Sequence, residues 1–294
     1  MRAAVIQQGR LVVEERPDPV ADAGEVVIRV RAAGVNGADL AQRAGRYPAP
    51  PGAPQDVPGL ECAGETEDGR RVMALLPGGG HAELAVVDER HVLDVPETLT
   101  FPQAGGFVEV FATAHDALFT QAELKPGDRL LVNGAAGGVG VAAVQLGVAA
   151  GAHVTAGARH HLVELRALGA ETAVEGAYDV ILELVGGENL ATNLERLATG
   201  GRIAVIGTGA GATATVDFGR LMRARGRIHA STLRARPPAE KALVVERLRT
   251  DVLPLVAAGR IAVPVEETYP LERAQEAYDR FAAGGKFGKI VLVV

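Results

Sequence analysis

From Arg129 onward, short apolar runs alternate with segments whose apolar residues recur every three or four positions, the rhythm of strands followed by helices. The run RLLV before Asn133 predicts a strand, and Gly134 to Gly138 a turn without large side chains. Val139, Ala142, Ala143, Leu146 and Ala150 then fall at i, i+3, i+4, i+7 and i+11, which predicts a helix. HVTAG (153–157) predicts a second strand, and Leu162, Leu165 and Leu168 a helix after it. YDVILELV (178–185) is almost continuously apolar, as expected of a strand covered on both faces. A helix over 189–198, strands over 202–206 and 227–233, and a long helix over 238–258 with Leu243, Leu248 and Leu255 on one face complete the series. Such alternation implies an α/β fold with a doubly wound parallel sheet.

The first hundred residues follow a different pattern. Strands are predicted at 1–7, 25–32, 61–66, 71–75 and 82–87, separated by turn-rich stretches (PDPVADAG, YPAPPGAP, LLPGGG). This reads as a second, mostly-β domain. After a helix over 273–282, the terminal KIVLVV (289–294) predicts a strand expected to return to that domain. The expected division is 1–104 with 262–294, against 105–261. No internal repeat stands out.

Composition narrows the function classes. The 294 residues suffice for two ordinary domains, and 48% apolar residues with 37 glycines suit a packed α/β chain rich in tight turns. A formal charge of −6, 4% aromatics and no Trp leave neither a basic surface nor a stacking platform, so no nucleic-acid partner is expected. The basic run RLMRARGR (220–227) is expected as the solvated end of a surface helix. Residues 130–158 carry no charged side chain, yet Asn133, Gln145, His153 and repeated glycines interrupt them. They read as a buried βαβ unit and not a membrane span. The single Cys62 allows no internal disulfide and no cysteine-based zinc site, and residues 1–10 are too short and polar for a signal segment; a cytoplasmic location is expected.

The turn after Asn133 carries the most chemistry. Its best match to G-x-G-x-x-G runs from Ala135 through Gly137 to Gly140, with alanine in the first place. A strand–turn–helix of this kind lets a dinucleotide pyrophosphate meet the backbone at Ala136, Gly137, Gly138 and Val139, at the positive end of the helix dipole. A tight packing turn is the plainer alternative. The end of the second strand separates NAD from NADP, because a carboxylate there binds a ribose hydroxyl and repels a phosphate. Gly157-Ala158-Arg159-His160-His161 holds no acid and one guanidinium able to grip a phosphate bidentately. NADPH is the expected cofactor, with Arg159 as an ordinary helix-start residue the alternative.

Several motifs together resemble the zinc-free quinone oxidoreductases of the medium-chain dehydrogenase/reductase superfamily, over nearly the whole chain. They are Gly34-Val35-Asn36-Gly37-Ala38-Asp39 with Arg43, Gly45 and Tyr47-Pro48; Pro58-Gly59-Leu60-Glu61 with Ala63-Gly64; Lys125-Pro126-Gly127-Asp128 before AAGGVG; and Ser231-Thr232-Leu233-Arg234. The resemblance implies a GroES-like substrate domain formed by both chain ends and a Rossmann domain, with the active site in the cleft. It implies that Asn36 borders the nicotinamide and Tyr47 lines the mouth, either able to donate to an oxygen that becomes negative. It also implies that Thr113 lies against the cofactor and that His160 or His161 stands near a lysine of relatives. Val185, Gly207, Thr208 and Leu233 are expected at carboxyl ends of strands, where doubly wound sheets bind ligands.

Zinc enzymes of the superfamily hold their metal with Cys, His and Glu or Cys. Here Leu60 precedes Glu61 and the histidines are scattered or adjacent, so no metal is expected. The chain is shortened at 65–69 and at 171–177, where relatives often carry a tyrosine near the adenosine phosphate. Glu109 has no explanation from the family pattern. The resemblance implies pairing of edge strands between nucleotide sheets, and the β-rich run RIHASTL (227–233) is the edge expected to join such a homodimer.

With no metal, flavin motif or nucleophile constellation, the nicotinamide is left to carry the chemistry as a hydride donor. Three readings follow: NADPH-dependent reduction of a quinone, NADPH-dependent reduction of the activated C=C bond of an enone or enoyl compound, and nucleotide binding without catalysis. The first two share a small conjugated carbonyl substrate.

Overall fold

The computed structural model describes residues 1–294, which form two compact units, Met1–Ala112 with Leu233–Val294 and Thr113–Thr232. Residues 105–112 and 233–261, assigned above to the nucleotide domain, pack with the first unit.

The second unit is built on a five-stranded sheet in the order Arg227–Ala230, Leu197–Val205, Tyr178–Glu183, Arg129–Asn133, His153–Gly157. Every pairing is parallel. Beyond His153–Gly157 a single parallel bridge joins Thr155 to Glu171, through Ala156 N–H to the Glu171 carbonyl (2.7 Å) and Glu171 N–H to Val154 (2.8 Å). The order is therefore that of a dinucleotide-binding sheet whose third strand has shrunk to one bridge, as the shortened stretch at 171–177 requires. Strand order reverses between Arg129–Asn133 and Tyr178–Glu183, which is where such sheets bind ligands.

The crossover helix Gly138–Ala149 is buried nearly all round: Val141, Ala142, Ala143, Val144 and Leu146 are inaccessible, while Val139 and Ala150 are half-buried. The one-sided stripe read from sequence was too narrow, because a helix apolar on every side belongs inside. The strand expected over 227–233 stops at Ala230, so Leu233 lies beyond it and packs with the first unit. The basic run does lie on a surface helix, Phe218–Ala224, with no buried residue.

In the first unit a seven-stranded sheet runs Val265–Pro270, Lys289–Val293, Glu25–Val35, Glu61–Thr66, Arg71–Leu75, Val92–Asp94, with Leu84–Asp88 also on Glu25–Val35. The terminal strand returns as expected, Ile290 facing Val35 and Val293 facing Ala32. Strands Arg10–Glu15, Val92–Asp94 and Val265–Pro270 were missed. One face of the sheet packs Ile28, Val30, Cys62, Val72, Leu76 and Val87; another cluster joins Ala4, Leu11, Val35, Tyr278, Ile290 and Leu292.

The long helix predicted over 238–258 is three pieces: Pro238–Arg247, a π-helical turn Leu248–Val252, and Leu253–Ala257. Its buried line is Val244, Val245, Leu248, Val252 and Val256, whereas Leu243 is 61% exposed and Leu255 half-buried. Leu243 stands five positions before Leu248, about 140° round the helix from it, so it falls on the outer face while Val244 and Val245 turn inward.

Candidate active site

At the glycine turn of the second unit, the left-handed residue is Gly134 (φ +79°), one place before the alanine that the motif aligned with its first glycine. Ala135 is buried, and both Gly134 and Ala135 donate N–H to the Gly157 carbonyl (2.9 and 3.2 Å). Gly140 permits the close approach: a Cβ there would stand 2.4 Å from the Gly134 oxygen. Gly137 caps the helix, and the first intrahelical bond runs from Val141 N–H to Gly137 (2.8 Å). The N–H groups of Gly138, Val139 and Gly140 have no acceptor in the protein. They are the donors an anion would need, at the positive helix end.

Beside this turn, the buried Glu183 carboxylate at the end of its strand gathers N–H groups. Val185 and Gly186 donate at 2.7 Å, Asn133 and Asn193 Nδ2 at 2.8 Å. That network shapes the turn at 184–187, with Val185 half-buried and close to Gly134, Gly207 half-buried beside it, and Thr208 exposed. Sequence reasoning missed Glu183, since a lone acid inside an apolar run gives no sign of its partners. At the end of the second strand Arg159 and His160 are exposed and make no ion pair. His161 is held apart: it caps the next helix in a left-handed conformation, its Nδ1 3.2 Å from Glu164. Thr113 is half-buried in the helix Val108–His115.

In the first unit a buried polar cluster gathers from distant segments. Lys289 Nζ donates to Glu61 Oε1 (2.7 Å), Asn36 Oδ1 (2.7 Å) and the Val35 carbonyl (3.2 Å). Asn36 Nδ2 donates to Glu61 Oε1 (2.9 Å) and the Gly34 carbonyl (3.3 Å). Glu61 Oε2 accepts the backbone N–H of Glu109 (3.0 Å). Asn36 thus has both ends of its amide in use, and the oxyanion donor expected there is already engaged. Asp39 starts the helix Gly37–Arg43, accepting N–H from Asn36 (2.8 Å) and Gly59 (3.0 Å).

Tyr47 is half-buried, and its ring lies 5.4 Å from the Arg234 guanidinium. Arg234 in turn donates to the carbonyls of Pro77 (2.8 Å) and Tyr47 (3.1 Å) and to Gln42 Oε1 (2.6 Å). Leu233, buried next to it, was expected in the nucleotide site but packs with this unit. Glu109 is half-buried, and its carboxyl has no hydrogen bond or ion pair. Burial, with Glu61 and Asp39 repelling charge, pushes it up to about 8.

Residues 22–97 match the family described as alcohol dehydrogenase GroES-like domain, and residues 151–292 that described as zinc-binding dehydrogenase. The chain is 30% identical to the quinone oxidoreductase of Mus musculus, over 94% of its own length and 91% of that protein. It is 34% identical to polyketide synthase GfsB of Streptomyces halstedii over 92% of its length, which spans only 5% of that protein. Among solved structures, the quinone oxidoreductase from Thermus thermophilus, described also in complex with NADPH, matches 100% of both chains with a TM-score of 0.88 at 35% identity. The chain belongs to the quinone oxidoreductase branch of the medium-chain dehydrogenase/reductase superfamily. That family is one of oxidoreductases, which sets aside nucleotide binding without catalysis.

The zinc in one family description finds no matching donors in this chain. No three His, Cys, Asp or Glu side chains are grouped to hold a metal ion. Glu61, a buried acid of the first unit, already has the Lys289 ammonium on it, and a dication placed there would face that positive charge. Cys62 is fully buried, and its thiol is pushed up to about 12, away from the thiolate that a zinc ligand must be.

Proposed function

We propose that the protein is an NADPH-dependent reductase of small, flat conjugated carbonyl compounds, with a quinone as the acceptor and without a metal. The observation that carries this reading is the second unit's anion site: three N–H groups without acceptors at the helix start, and an exposed, unpaired Arg159 after the second strand with no carboxylate near it in sequence. Arg159 and His160 suit the 2′-phosphate, and Val185, Gly207, Thr208 and Thr113 the remainder of the nucleotide. The NADPH complex of the Thermus thermophilus quinone oxidoreductase supports the same cofactor. NADPH supplies the hydride; the chain supplies position, polarity and a proton. A quinone needs no Lewis acid, because conjugation delocalises the incoming charge.

The similarity to polyketide synthase GfsB supports a second reading, reduction of an activated C=C bond in an enone or enoyl compound. Following NADPH oxidation with a panel of quinones and enones decides between them. Turnover with quinones alone supports the first reading and turnover with enones alone the second. Oxidation of simple secondary alcohols with NADP, and neither of those activities, overturns both. We place the protein in the cytoplasm, where one buried free cysteine suits a reducing medium, and as a homodimer joined at the edge strand Arg227–Ala230.

A further inference from the structure

We propose that Glu183 is a positioning residue of the nucleotide site. Its buried carboxylate holds the turn at 184–187 and the strand end at Asn133 in one arrangement, so that the dinucleotide meets a surface already ordered. The inference rests on the NADPH reading above, and every group it uses lies in the second unit.

Glu183 ends its strand in register with Asn133, the last residue of the neighbouring strand, where the strand order reverses. Its side chain is buried, and every group bonded to the carboxylate donates to it. Oε1 accepts the backbone N–H groups of Val185 and Gly186 (2.7 Å each) and, at 3.4 Å, Asn189 Nδ2. Oε2 accepts Asn133 and Asn193 Nδ2 (2.8 Å each). One oxygen therefore fixes the turn that follows, and the other fixes the residue that leads into the glycine turn. Asn133 has no slack, because its Nδ2 also donates to Asn193 Oδ1 (2.8 Å).

The arrangement depends on Glu183 for two reasons. Gly186 and Gly187 are both left-handed (φ +83° and +63°), and two successive glycines restrain a backbone poorly. Val185 and Gly186 also have no other acceptor for their N–H groups. What this turn carries lies against the nucleotide turn. A Cβ on Gly134 would stand 3.2 Å from Val185 Cγ2 and 3.4 Å from Leu184 Cβ. The backbone extends the link, since the Glu183 carbonyl accepts N–H from Ile206 (2.9 Å) and Gly207 (3.1 Å), and the Val185 carbonyl accepts that of Ala210 (2.9 Å). Glu183 thus sets the placement of Val185 and Gly207 relative to Gly134 without touching the ligand. It removes disorder that binding would otherwise have to remove, so its contribution is the same with or without a 2′-phosphate on the cofactor.

Calorimetric titration with NADPH and with NADH, well below each variant's melting temperature, tests this. Glu183→Ala should weaken both cofactors alike, by about tenfold or more, since a backbone left loose must be ordered on binding. The NADPH to NADH ratio should hold, unlike that of an Arg159 variant. Glu183→Asp, whose carboxylate is drawn back by one methylene, should also lose affinity, and it carries the test should the alanine variant fail to fold. Glu183→Gln can keep an oxygen on Val185 and Gly186, and should restore most of the loss. Leu194→Ala, in the apolar cluster with Leu131, Tyr178 and Ile181, should lower the melting temperature and leave both affinities in place, which separates positioning from stability. In turnover of an acceptor found in the panel, Glu183→Ala should raise KM for NADPH by more than it lowers kcat. Wild-type affinities in Glu183→Ala or Glu183→Asp, or an equal loss in Leu194→Ala, overturn the proposal alone. A wild type that binds neither cofactor overturns the functional reading and this proposal together.

Discussion

The turn from Asn133 to Gly140 and the cluster around Glu61 both concentrate polar groups, but from different materials. The turn uses the backbone of one continuous segment, with Gly134 and Gly140 allowing the chain to fold onto the Gly157 carbonyl. The cluster uses side chains from distant places, Asn36, Glu61 and Lys289, with the backbone of Glu109 joining them. Backbone donors survive most substitutions that leave the turn intact, so this site should fail mainly through its ligand contacts. A buried ionic cluster is different: removing one member leaves its partners charged and desolvated, so it should fail through stability.

The largest expected effect lies in the cluster. Lys289→Met should destabilise the protein by about 3–5 kcal/mol in urea unfolding, because Glu61 is left buried without its cation. Adding Glu61→Gln should recover part of that loss. An unchanged unfolding midpoint in the single variant would remove the contrast between the two regions.

Beside the turn, at the end of the second strand, the expected effect is smaller and of another kind. Arg159→Ala should weaken NADPH binding by about 1.5–3 kcal/mol while leaving NADH binding and the melting temperature as they were. Calorimetric titration with both cofactors checks this, and an unchanged NADPH to NADH ratio would exclude Arg159 as the phosphate ligand.

A third effect concerns pH. The Glu109 carboxyl keeps its proton to about pH 8 in the folded chain, against an ordinary value of 4.5 when unfolded. Between those values the folded state binds the extra proton. The contribution of Glu109 is thus full below 4.5 and declines as pH rises through 8. Glu109→Gln should flatten this part of the stability–pH curve. A variant whose melting temperature follows the wild-type curve over that range would show Glu109 to be ionised in the folded protein.

The architecture was legible because its signals are local. Apolar periodicity in 129–206 marked the βα units, and the glycines after Asn133 marked the turn, since neighbouring residues impose both. Where a distant partner decides, the reading from sequence stopped short. Leu243 was read onto the apolar stripe of the long helix, yet Val244 and Val245 are the residues that the packing buries. Asn36 looked like an open hydrogen-bond donor until Glu61, 25 positions away, was found on its amide nitrogen.

By itself, then, the sequence determined the strand–turn–helix order, the want of an acid after the second strand and the lack of a cysteine–histidine ligand set. These are matters of residue type and short-range spacing. Tertiary structure decided which polar groups remain free. It occupied Asn36, tied His161 to Glu164, and left Arg159 exposed and Glu109 half-buried and unpaired. The physical reason is that a charge state and a hydrogen-bond vacancy depend on every group within a few ångströms and on the water excluded among them, and folding draws those groups from far along the chain.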